Sequence, residues 1–178
     1  MPDYSRLFDK NDINRIITRI AHEISERNAD LSKVVLVGIL TRGTPFAKRL
    51  SDCIYDKIDN SLRIPVGELD ITSFRDDVKN KEHDLNNAGS IPVDITDKTI
   101  ILADDVIYTG RTARAALDAL ISFGRPSKIQ LAALVDRGHR ELPIRADYIG
   151  KNVPTSHSES IKVAFSEIDG EDYIDLIK

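Results

Sequence analysis

Ile13, Ile16, Ile17, Ile20 and Ile24 recur at helical spacing. At about 100° per residue they share one face, which predicts an amphipathic helix over Asn11–Arg27. Val34–Leu40 is a short β-branched run of the kind that forms a strand buried on both faces. Thr44-Pro45 then reads as an N-cap followed by proline at the first helical position. Phe46, Leu50 and Cys53 continue that helix along one side, so Cys53 reads as a small core residue rather than a nucleophile.

Ile64–Ile71 predicts a further strand. Arg75–Ser90, in contrast, has only Val78, Leu85 and Ala88 as apolar side chains. So long a polar segment in a compact domain is usually a functional lid or a disordered insert. Ile100–Ala103 is a continuous apolar strand, and Thr112–Phe123 places Ala113, Ala116, Leu117 and Leu120 on one helical stripe before Gly124 and Pro126 stop it. Ile129–Val135 is another buried strand. In Asp147–Lys178 the short runs Ile161–Phe165 and Tyr173–Ile177 either complete the sheet edge or form a small cap. Alternating strands and helices imply an α/β fold with a mostly parallel central sheet flanked by helices. No repeat or linker interrupts the chain, so residues 1–178 read as one domain.

Composition narrows the picture. With 178 residues, 41% hydrophobic and 30% charged, the chain can bury a core without metals or disulfides. A single cysteine excludes an internal disulfide or a cysteine metal cluster, and His83 and His157 have no metal-ligating spacing. No metal site built from the protein alone is therefore expected. Met1–Lys10 is polar and no apolar run has the length of a membrane span, so the expected location is the cytoplasm, away from membranes. A net charge of −4 argues against a general nucleic-acid coat protein, yet leaves room for one local basic face.

In open parallel sheets ligands bind at the carboxyl ends of the strands. Three such ends here carry polar, glycine-containing sequence: Thr41-Arg42-Gly43, Asp104–Thr112 and Asp136–His139. In the second, an apolar strand delivers Asp104 and Asp105 to its tip, and a turn through Gly110 leads into a helix. Gly110 permits close backbone approach, and the helix start offers unpaired N–H groups to an anion. Carboxylates beside a phosphate cradle are electrostatically awkward unless they hold sugar hydroxyls or a cation shared with the ligand. Aspartates serving only as caps are the plainer reading of either residue alone.

The whole string resembles the signature by which type I phosphoribosyltransferases bind phosphoribosyl pyrophosphate (PRPP). That resemblance implies the family's fold, with a small hood built from the C-terminal part and possibly the N-terminus. It implies that Asp104 and Asp105 hold the ribose hydroxyls while Val106, Ile107, Tyr108, Thr109, Gly110, Arg111 and Thr112 enclose the 5-phosphate. Thr41, Arg42 and Gly43 resemble the pyrophosphate loop, and Ser73-Phe74-Arg75-Asp76 resembles the start of the catalytic loop. Arg75 would then meet pyrophosphate from a lid over Ser73–Ser90, with Mg²⁺ bound mainly through PRPP.

A narrower resemblance runs from Leu134 to Ser156, which is similar to the bacterial pyrimidine-operon attenuation regulators, the PyrR family. It implies uracil transfer to give UMP, with Val135, Asp136 and Arg137 near the base, and binding of pyrimidine-gene leader mRNA controlled by uridine nucleotides. It also suggests a homodimer or higher assembly. On the first helix Arg15, Thr18, Arg19 and His22 fall within about 100° of arc, opposite the isoleucines. Arg137, Arg140, Arg145 and Lys151 form a second basic cluster. Spacing alone reads the helix face as merely solvated, and Glu26 dilutes it; the resemblance assigns RNA contact to Thr18, His22, Arg140, Arg145 and Lys151. Asp104-Asp105 departs from the Glu-Asp of purine transferases, which leaves hypoxanthine or guanine salvage as the alternative activity.

Overall fold

The computed structural model describes residues 3–76 and 88–178. Most of the expected lid, residues 77–87, lies outside the described residues. The main sheet contains β2 (Val34–Ile39), β3 (Val66–Leu69), β4 (Gly89–Ser90), β5 (Thr99–Ile107), β6 (Lys128–Asp136) and β7 (Tyr148–Asn152). Their spatial order is β4-β3-β2-β5-β6-β7, parallel throughout except where β4 pairs antiparallel with β3.

Because side chains alternate across a strand, the sheet divides the core in two. Leu36, Ile101, Ala103, Ala132 and Leu134 face α1 (Lys10–Arg27) and α2 (Gly43–Lys57), where they meet the buried isoleucines of α1 together with Phe46, Leu50 and Cys53. Val35, Val37, Ile100, Leu102 and Ala133 face the other way, onto the alanine stripe of α3 (Arg111–Ile121). Each fully buried isoleucine or leucine contributes about 1.5–3 kcal/mol.

Two helix starts differ from expectation. The Asp9 carboxylate accepts the Asp12 N–H at 2.9 Å, and the Asp12 carboxylate accepts the Asp9 N–H at 3.1 Å. This reciprocal cap starts α1 at Lys10. In α2 the helix begins at Gly43, so Thr44 lies inside it and is not the cap; its hydroxyl is buried without a hydrogen-bond partner among the described residues. Helix and sheet meet very closely here. A Cβ on Gly43 would lie 2.2 Å from the Ala103 carbonyl oxygen, and one on Gly38 would lie 2.4 Å from Thr44 Cα. Only glycine admits that approach, which brings Gly43 against the middle of β5, one residue before Asp104.

Both readings of the C-terminal stretch hold in part. Tyr148–Asn152 forms the sheet edge, while β8 (Ser160–Ala164), α4 (Ser166–Asp169) and β9 (Tyr173–Ile177) build a hood. The hood's third strand is β1 (Tyr4–Phe8), in the antiparallel order β1-β9-β8. Arg49 of α2 fastens it, donating to Asp172 at 2.7 and 3.0 Å, to Glu167 at 2.7 Å and to the Ser166 hydroxyl at 3.0 Å. Burial pushes the Asp172 carboxyl upward, but hydrogen bonds from Arg49 and the Ser166 amide together hold it below the usual carboxylate range. No helix among the described residues is long and apolar enough to cross a membrane.

Candidate nucleotide site and its outer wall

β5 is longer than its apolar run, continuing through Asp104 and Asp105 to Ile107. Hydrogen bonds to β2 on one side and β6 on the other hold it rigidly at the sheet centre. The Asp104 side chain is buried, and one of its oxygens accepts the Asp105 N–H at 3.0 Å. Burial first, and the adjacent Asp105 carboxylate second, push the Asp104 carboxyl well above the usual range. No ion pair reaches either aspartate among the described residues.

Beyond Ile107 the chain turns at Gly110, whose φ of 93° favours glycine, and enters α3. The amides of a helix's first turn have no intrahelical partner. They open into a cavity of about 220 Å³ lined by Asp104, Val106–Ala113, Arg75 and Asp76. The sequence-predicted Asp104, the loop Tyr108–Gly110, Arg111, Thr112 and Arg75 thus meet in one cavity. Arg111 bridges its rim, donating to Asp76 at 2.6 Å and to Glu141 at 2.9 Å. Its guanidinium is therefore held by carboxylates in this structure.

Thr41, Arg42 and Gly43 stand across from this cavity, at the end of β2. Arg42 donates through Nη2 and Nε to both carboxylate oxygens of Asp169 in the hood, at 2.7 and 3.2 Å. That pairing raises the Arg42 guanidinium and holds Asp169 below the usual carboxylate range. Nothing in the sequence pattern singles out Asp169, because its partner lies 127 residues away.

At the end of β6 the three expected base-side residues separate. The Val135 side chain lies in the core on the α1 side. Asp136 accepts the Gly138 N–H at 2.9 Å and pairs with Arg140. Arg137 is not part of an exposed basic cluster, as its spacing suggested: it is buried, donates to the Thr155 hydroxyl at 3.1 Å and to the Glu159 carbonyl, and stacks 4.0 Å from the Tyr108 ring centroid. A guanidinium surrounded by a ring, a hydroxyl and carbonyls is satisfied inside the fold. His139 packs edge-on to Tyr108 and 4.1 Å from the His157 ring.

Of the RNA candidates, His22, Arg145 and Lys151 are exposed and Thr18 is half-buried. The Thr18 hydroxyl donates to the Asn14 carbonyl and accepts from Lys57, both at 2.9 Å. Arg140 is turned inward: it donates to the Tyr108 carbonyl at 2.6 Å and the Ile144 carbonyl at 2.9 Å, besides pairing with Asp136. Glu141 and Leu142 donate their N–H groups to the Thr109 carbonyl at 2.9 and 3.1 Å. The segment 137–146 is thus one wall, with its inner side sewn to the phosphate loop and Arg145 on its outer side. Arg19 reaches the edge of β7, donating to the Ile149 and Gly150 carbonyls at 2.9 and 2.6 Å.

The phosphoribosyl transferase domain family matches residues 3–165. The bifunctional protein PyrR of Alkaliphilus metalliredigens is 57% identical over 171 residues, covering 96% of this chain and 93% of the relative. That of Bacillus subtilis is 55% identical over 171 residues, covering 94% and 93%. Among solved structures, the hypoxanthine phosphoribosyltransferase of Trypanosoma cruzi superposes with a TM-score of 0.71 at 17% identity, covering 97% of this chain and 95% of that one. The Staphylococcus aureus hypoxanthine enzyme gives 0.71 at 21%, covering 98% and 91%. At such identity these structures speak for the fold alone.

Proposed function

The chain belongs to the phosphoribosyl transferase family and, within it, to the PyrR bifunctional proteins, and on that premise we propose that it transfers the phosphoribosyl group of PRPP to uracil and also binds pyrimidine-gene leader mRNA under the control of uridine nucleotides. The observation that carries the transferase reading is the uncompensated pair Asp104-Asp105, delivered by a central strand to the start of α3. A buried carboxyl pushed upward, in a cavity it shares with loop amides, threonine hydroxyls and the Arg75, Asp76 and Arg111 side chains, is poised for a ligand that brings its own hydroxyls or cation.

In this reading the ribose hydroxyls of PRPP meet Asp104 and Asp105, and the amides of Tyr108–Thr112 hold the 5-phosphate. Thr41–Gly43 hold pyrophosphate, with Arg42 anchored from the hood. Among the described residues no group of three or more His, Cys, Asp or Glu could cage a metal. Mg²⁺ therefore fits as an ion carried in by PRPP oxygens beside these two carboxylates; when bound it stabilises the charge of the departing pyrophosphate. Arg75 adds positive charge at the same place, and a uracil nitrogen attacks the anomeric carbon from the opposite face. The base lies near Val135–Arg137. We place the protein in the cytoplasm, as a single domain assembling into a homodimer or larger.

RNA binding is carried by the outer wall: His22, Arg145 and Lys151 face outward, with Thr18 half-buried one turn before His22, while Arg140 stiffens the wall from within. Filter binding to the leader RNA of the host's pyrimidine genes, with and without UMP, tests this half. Tight binding strengthened by UMP is expected; none at physiological salt would remove the regulatory role. Turnover of hypoxanthine or guanine with none of uracil would replace the proposed activity by purine salvage.

A further inference from the structure

The outer side of the 137–146 wall is hollow. Beside Arg145 lies a groove of about 450 Å³, within the roughly 300–1,000 Å³ range of small-ligand pockets. Its floor is apolar, formed by Ala146, Ile149 and Pro154, and its rim carries the Asn152 side chain. Asp136 and Arg140 also border it, but they are paired with each other, and Asp136 further accepts the Gly138 amide. Neither the Arg145 guanidinium nor the Asn152 amide has a hydrogen-bond partner among the described residues. The groove is separate from the cavity beneath α3, since the two share no lining residue.

We infer that this groove receives one unpaired base of the bound RNA, with Asn152 hydrogen-bonding the base edge and Arg145 covering its face or its phosphate. The inference rests on the RNA reading above. Sequence-specific RNA recognition works mostly on splayed bases, which need a flat apolar seat, a guanidinium or ring to stack on, and an amide able both to donate and to accept. All three border this groove, beside the edge strand β7. Arg19, the neighbour of Thr18, grips that strand's Ile149 carbonyl, so α1 and the groove flank the same edge strand. A free nucleotide offers the same base chemistry, and the test separates the two sources.

The experiment replaces each unpaired position of the leader RNA in turn by an abasic site and measures its affinity for wild-type protein and for Asn152→Ala. One abasic position should weaken wild-type binding about ten-fold. Asn152→Ala, at unchanged thermal midpoint, should weaken intact RNA comparably and be far less sensitive at that same position. Additive losses at every position would overturn the inference and leave RNA binding standing. Competition by millimolar AMP or GMP that vanishes in Asn152→Ala, without any position-specific coupling, would give the groove to a free nucleotide and also overturn it. Wild-type protein that binds no leader RNA would remove the RNA reading itself, and this inference with it.

Discussion

Two sets of acidic side chains, one in the hood and one on β5, are treated differently. In the hood, Glu167, Asp169 and Asp172 each meet an arginine of α2 or of the loop before it. On β5, Asp104 and Asp105 have no such partner among the described residues, although Asp104 is buried. A paired carboxylate is part of the fold's own accounts of charge, whereas an unpaired buried one costs stability until something arrives to meet it. The contrast separates residues that hold the hood in place from residues that wait for a ligand.

The largest effect expected is on turnover. Asp104→Asn or Asp105→Asn should lower kcat/KM for uracil transfer about 10³-fold while circular dichroism stays native; unchanged turnover in both would erase the contrast. Next is Arg49→Ala, which leaves Asp172 buried without its cation. It should cost about 3 kcal/mol in urea unfolding, and a loss too small to measure would mean the hood does not depend on this tie.

Smaller, and opposite in sign, is the stability effect of Asp104→Asn. The unfolded chain gives up this proton near pH 4, while burial keeps it on the folded protein to higher pH. Wild-type stability therefore falls as pH climbs from the unfolded pKa through the folded one. Asparagine does not titrate, so the variant's advantage should be absent below about pH 4 and full above the folded pKa. At neutral pH the midpoint should rise by about 2–4 °C for each kcal/mol relieved. A thermal midpoint for Asp104→Asn that tracks wild type at every pH would contradict the burial argument. Smallest of all, Arg63→Ala breaks an ion pair whose side chains are more than half exposed and should leave the urea midpoint where it was.

Much of this was legible in the chain. The isoleucine stripe, the apolar cores of β2, β5 and β6, and the Asp-Asp string into a glycine turn fixed the sheet centre and one side of the site, because period and turn chemistry are local properties. What escaped was set by distance. β1 and β7 are half-polar edge strands that exist only through their neighbours, so their sequences carry no continuous apolar run. Arg137 and Arg140 were read as surface charge from residue type, but one is buried under Tyr108 and the other spans two loops. Asp169 has meaning only beside Arg42. Thr44-Pro45 looked like a helix start because cap residues are read from sequence, whereas Gly43, forced against β5, starts the helix two residues sooner.

The pairing of β1 with β9 has a topological consequence. Tyr4 sits opposite Ile177, and the Lys178 N–H donates to the Asp3 carbonyl at 3.0 Å. The first and last described residues therefore meet in the hood, so that joining them would make a ring. A permuted protein, with these two ends spliced by a few residues and the ring reopened in an exposed connection such as the one between α3 and β6, should keep every strand beside its present neighbour. A reporter fused at either of these ends would emerge from the hood, beside the paired strands β1 and β9.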